Sequence, residues 1–76
     1  MKEEFEPQKI AQTLLNYPDG LISELTLWME ADGYEIEIED EVCEGCFECG
    51  VEELDVKSED DARKAFVLFA ASYKRE

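Results

Sequence analysis

Alternation dominates the middle of the chain. Ser23, Leu25, Leu27 and Met29 take turns with Glu24, Thr26, Trp28 and Glu30, and Tyr34, Ile36, Ile38 and Val42 continue against Glu35, Glu37, Glu39 and Glu41. A period of two places each apolar set on one face of a strand. Ala31-Asp32-Gly33-Tyr34 lies between the runs, and Asp-Gly is a strong signal for a two-residue hairpin loop. With Asp32-Gly33 as that loop, Met29 meets Ile36, Leu27 meets Ile38 and Ser23 meets Val42 on the core face.

The flanks follow other periods. Residues 1–6 form a polar lead-in. Pro7 fits the first turn of a helix. Ile10, Leu14 and Tyr17 then recur at i, i+4 and i+7, with Ala11 and Leu15 beside them, which predicts an amphipathic helix over 7–16. Pro18-Asp19-Gly20 stops it and turns the chain. A third strand is predicted from about Phe47 to Val56, with a bulge near Glu52-Glu53 because the apolar phase changes between Val51 and Leu54. Ser58 is placed to cap a final helix whose first turn holds Glu59, Asp60 and Asp61. Its apolar stripe is Ala62, Ala65, Phe66, Phe69 and Tyr73, and Lys74 and Arg75 close it. The predicted fold is α+β, a single small domain over residues 1–76, with a helix, a three-stranded antiparallel sheet and a second helix (αβββα). Val67 and Leu68 widen the last stripe beyond what one small sheet needs, which adds a homodimer to the expectations.

Charge changes this picture most. The 76 residues carry 21 acids against 7 bases, a formal net charge of −14. Residues 19–56 hold 14 acids and no base. Such a chain is repelled by nucleic acid and anionic membranes and attracted over long range to basic surfaces. The start, MKEEFEPQ, has no apolar core of a signal peptide, and no apolar run approaches membrane-spanning length. A cytoplasmic location is therefore expected, with the cysteines as thiols or ligands and not disulfides.

The acids also have a pattern. In the predicted register, Glu30 meets Glu35, Trp28 meets Glu37, Thr26 meets Glu39 and Glu24 meets Glu41. Six glutamates would share one hairpin face, with two pairs directly opposed. Opposed like charges destabilise a sheet, and lysine or threonine would serve the fold better. A solvated face of a very soluble protein is the plain explanation. The sharper one is a surface for a basic partner, because alternate strand residues stand roughly 6.8 Å apart, similar in scale to successive phosphates. The candidate partner-binding residues are Glu24, Trp28, Glu30, Glu35, Glu37, Glu39 and Glu41, with Trp28 as the aromatic anchor.

In size, charge and element order the chain resembles the small acidic phage proteins that act as DNA mimics: anti-restriction proteins, anti-CRISPR inhibitors and inhibitors of nucleoid proteins. Those proteins share no motif, so no residue is carried over. The resemblance implies a phage or mobile-element origin and a partner that normally binds nucleic acid. The helix-strand-strand-strand-helix order also resembles a double-stranded-RNA-binding domain. The basic residues such a domain needs at the start of its last helix are replaced here by Glu59, Asp60 and Asp61, which argues against RNA binding.

Cys43, Cys46 and Cys49 have C-x2-C-x2-C spacing, similar to part of a ferredoxin-type motif. There is no fourth cysteine, no following proline and no histidine, whereas a structural zinc takes four ligands. The balance favours Cys43 and Cys49 as core-facing small hydrophobes with Cys46 at the turn, and no cofactor. No histidine base, phosphate-binding glycine loop or EF-hand spacing occurs, so an enzyme is not expected. The expected function is an acidic inhibitor that excludes DNA or RNA from a basic groove on a host protein. Two alternatives stand beside it: an adaptor that binds a basic patch on RNA polymerase or a protease chaperone without mimicry, and a small metal-binding protein built on the three cysteines.

Overall fold

The computed structural model describes residues 6–74, so most of the polar lead-in, residues 1–5, lies outside the described residues, as does Arg75. Where the sequence alternates, the chain forms strands. In chain order they are β1 (Gln8–Asn16), β2 (Ile22–Glu30), β3 (Gly33–Cys43) and β4 (Cys46–Leu54), followed by one helix, α1 (Glu59–Ser72). The strands form a single antiparallel meander in the order β1-β2-β3-β4.

The first element corrects the predicted fold. Residues 8–16 form an edge strand and not a helix, so the order is four strands and one helix. The apolar spacing of this segment suits either structure. A bulge between Lys9 and Ala11 shifts the phase, after which Ala11, Thr13 and Leu15 face the helix and Leu14 points away, 52% exposed. Tertiary pairing decides the outcome. A helix of ten residues gains little by itself in water, whereas a strand here flanks β2 on its open side. Leu25 and Leu27 then lie in an interior strand and reach zero exposure. Pro18-Asp19-Gly20 makes the expected turn, with Gly20 at φ 89° and its N–H donating to the Tyr17 carbonyl at 2.9 Å.

The β2–β3 hairpin also differs in register. Glu30 pairs with Gly33, so the loop is Ala31-Asp32 and not Asp32-Gly33. A primed turn over Asp32-Gly33 needs positive φ at Asp32, alone or together with Gly33. Only Gly33 has it, at φ 151°. The offset moves every partner by two residues, which preserves the faces. A one-residue slip would have inverted them. The β3–β4 ladder runs without a break from Tyr34–Leu54 to Glu41–Phe47, so the bulge expected at Glu52-Glu53 is absent. Val51 simply turns to the face opposite Leu54. The irregularity lies instead between Glu41 and Cys43, at the hairpin tip.

One face of the sheet is covered. Helix α1 lays Ala62 and Phe66 on Leu25, Leu27 and Ile36, with Ile38, Leu54 and Phe69 among the partly buried neighbours. Ser58 caps α1 as expected, its hydroxyl accepting the Asp61 N–H at 3.1 Å. The helix ends at Ser72, so Lys74 falls beyond the last turn. At that end the Tyr73 hydroxyl donates to Asp40 Oδ2 at 2.6 Å, and the fully buried Ser23 hydroxyl donates to Asp40 Oδ1 at 2.6 Å. Tyr17 in turn donates to Ser23 at 2.8 Å. This chain of hydroxyls ties the β1–β2 turn, β2, β3 and the end of the helix together. Val67 and Leu68 remain 64% and 70% exposed on the outer side of α1.

Candidate functional site

Among the described residues, no second layer covers the other face of the sheet. Strand parity and register place Lys9, Gln12 and Leu14 of β1, Glu24, Thr26, Trp28 and Glu30 of β2, Glu35, Glu37, Glu39 and Glu41 of β3, and Phe47, Cys49, Val51 and Glu53 of β4 on this side. All seven predicted partner-binding residues are thus brought together. The pairs differ from those expected. Glu24 opposes Glu39, Thr26 opposes Glu37, Trp28 opposes Glu35, and Glu30 faces Gly33. One glutamate pair is directly opposed in this hairpin and not two. A second opposed pair, Glu35 with Glu53, comes from β4.

The carboxylates are crowded. Glu39 is held above its ordinary value, first by a hydrogen bond shared with the Glu24 carboxyl and then by burial and the charges of Glu24 and Glu37. Glu35 is also raised, first by burial and then by the charge of Glu30, a hydrogen bond with Glu30, and the charges of Glu53 and Glu37. In both, a hydrogen bond to a second carboxyl, burial and neighbouring like charges all favour the protonated form. The helix-covered network around Asp40 supplies hydroxyl donors to its carboxylate. The open face supplies mainly other carboxylates.

Two members are engaged differently. The Trp28 indole N–H donates to Glu37 Oε1 at 3.0 Å, diagonally across the ladder, which fixes the half-buried ring on the acidic face. Glu41 accepts the Ile22 N–H at 3.1 Å through Oε1 and the Gly45 N–H at 3.1 Å through Oε2. It therefore braces the start of β2 against the β3–β4 turn, and it belongs to the site more as a support than as a contact residue. The nearly buried Thr26 accepts from the Gln12 side chain at 3.2 Å, closing the centre of the face.

Sequence reasoning missed the contribution of β4. Phe47 and Val51 stand 50% and 57% exposed between the acids. Unbroken alternation from Phe47 to Glu53 was the signal for it, and the assumption of a bulge hid it.

The cysteines depart from expectation. Cys43 and Cys46 form a disulfide across the Glu44-Gly45 turn, and Cys49 is a free, exposed thiol. Neither Cys43 nor Cys49 faces the core. The reason is that β3 runs past the end of its pairing with β2, so the hairpin tip has no layer beneath it. Burial and the charges of Glu39 and Glu37 push the Cys49 thiol up, which suppresses its reactivity. Among the described residues, no group of three or more His, Cys, Asp and Glu is arranged to hold a metal ion.

The chain matches no known protein family, no curated protein and no solved structure. The face must therefore be judged on its own chemistry. Residues 33–54, the β3–β4 hairpin, carry nine acids and no base. Arg63 and Lys64 are on the helix, paired with Glu59 at 2.9 Å and Asp60 at 3.5 Å. No helix among the described residues is long and apolar enough to cross a membrane.

Proposed function

We propose that the chain is an acidic inhibitor that binds a nucleic-acid-binding protein and occupies its basic groove. The observation that carries this reading is the sheet face opposite the helix, on which Glu24, Glu30, Glu35, Glu37 and Glu39 gather, with Glu35 and Glu39 held above their ordinary value. Folding gains nothing from that crowding, whereas a lysine- or arginine-rich partner relieves it. Rows of carboxylates at strand pitch present charge at a spacing close to that of a nucleic-acid backbone. The mechanism is competitive exclusion of DNA or RNA, with electrostatic steering giving fast association. A cytoplasmic site of action, in a host cell if the chain is phage-encoded, belongs to this reading. Self-association through Val67 and Leu68 is compatible with it, because they lie on α1, away from the acidic face.

Capture from nuclease-treated bacterial lysate at low and moderate salt tests the proposal. A nucleic-acid-binding protein should be retained, released by added DNA and lost steeply as salt rises. Joint replacement of Glu35, Glu37 and Glu39 by glutamine should abolish retention; unchanged retention would falsify the acidic-face mechanism. The exposed Phe47 and Val51 favour a second reading, an adaptor whose face makes apolar contacts as well as ionic ones. In that case the partner is retained but DNA does not displace it.

A further inference from the structure

The open face is concave around Trp28. A depression of about 490 Å³ lies there, with Val51 from β4 on one side and Pro7, ahead of β1, on the opposite side. Glu6, Glu30, Glu35 and Glu37 complete its lining among the described residues. The hollow thus joins an indole, two aliphatic walls and four carboxylates. Among the described residues, no lysine or arginine lines it. Lys9, which pairs with Trp28 in the β1–β2 ladder, is exposed and lies outside the lining.

We infer that this hollow receives the guanidinium of one arginine side chain from the partner. The inference rests on the acidic-face reading of function and names the group that the face is built around. Carboxylates alone would attract any cation. An aromatic ring beside them selects a cation that can lie flat on it, and a guanidinium is planar, weakly hydrated and able to fork two N–H groups toward a carboxylate. The ring is already oriented, because its N–H is committed to Glu37 Oε1. That bond leaves Glu37 Oε2 for a ligand. Val51 and Pro7 flank the aliphatic stem, so the charged head and the methylene groups both find matching surfaces. The raised Glu35 carboxyl adds support, since an arriving cation returns it to the charged form.

Trp28 is the single tryptophan of the chain, so its emission reports on the hollow directly. The intact chain should be titrated at constant low ionic strength with blocked Gly-Arg-Gly, and in parallel with the lysine and citrulline counterparts. Arginine should give a saturable change in emission, lysine should bind about threefold or more weaker, and citrulline should give none. Glu37→Gln keeps an acceptor for the indole and removes the charge, so it should weaken arginine binding without releasing the ring. An equal response to all three peptides, or no saturable response, overturns the arginine site. Poly-lysine binding, with DNA as competitor, separates this inference from the functional reading. Poly-lysine binding without an arginine response leaves the acidic face standing and removes the hollow. An arginine response without poly-lysine binding does the reverse.

Discussion

Glu39 and Asp40 are neighbours in one strand and face opposite worlds. Asp40 points under the helix and accepts hydroxyls from Ser23 and Tyr73, each at 2.6 Å. Glu39 points to the open side, opposite Glu24, and shares a hydrogen bond with that second carboxyl, which raises it. The same functional group is provided for on one face and opposed on the other. Carboxylates are thus no general burden on this fold. Among the described residues, the carboxylates held above their ordinary value, Glu35 and Glu39, lie on the face that the helix does not cover. A face optimised for stability alone would have spread them out.

The largest test of this division compares apolar residues on the two sides. Leu27 has no exposed surface and packs in the cluster with Phe66 and Ile36. Leu27→Ala should cost about 2–5 kcal/mol in denaturant unfolding. Val51→Ala, on the open face, should change stability by less than about 0.5 kcal/mol and act instead on partner binding. If Val51→Ala proved as damaging as Leu27→Ala, the open face would have to be covered in solution, and the two-sided description would be wrong.

A middle-sized effect is expected at Asp40. Asp40→Ala removes the acceptor of two hydroxyls, one of them the fully buried Ser23. The loss should be about 1–3 kcal/mol, the range for stripping a partner from a buried polar group. The companion change at Glu39 should have the opposite sign. Equal losses at the two adjacent positions would erase the contrast between the faces.

The legible and illegible parts of the sequence divide along the same line. β2, most of β3 and the Ser58-capped helix could be located because one side of each is buried, and burial imposes a period. The faces of the β2–β3 hairpin were correct through Ile38 even though its register was two residues off, since that offset preserves parity, but Val42, expected on the core opposite Ser23, lies beyond that pairing and is 42% exposed. β1 could not be assigned. Its apolar spacing fits a helix as well as a bulged strand, and the choice depends on β2, which is distant in sequence. β4 was blurred for another reason: Phe47 to Glu53 is exposed on both faces, so no core selected its phase. For the candidate site, the seven residues share the face because alternation alone puts them there. The hollow was invisible, because it needs Val51 and Pro7, distant in sequence, brought around Trp28 by the pairing of the strands.

The smallest effect is also the most specific to the open face. Glu35 and Glu39 are both raised above the ordinary 4.5. A group bound more tightly to its proton when folded contributes stability in full below its unfolded value, and loses it as pH climbs through the raised folded value. These two glutamates should therefore favour the fold near pH 4.5 and oppose it at pH 7, the reverse of a paired carboxylate. Glu39→Gln should stabilise the chain at pH 7 and low salt by roughly a few tenths of a kcal/mol, the scale of an opposed like-charge pair. The gain should shrink toward zero as pH falls through the raised value, and shrink again as salt screens the face. Thermal melts of both proteins from pH 7 to pH 4.5, at two ionic strengths, measure the difference directly. A gain independent of pH and salt would mean that Glu39 opposes folding for a reason other than charge. A gain that follows both ties the instability to the crowded carboxylates, the property a cationic partner would exploit.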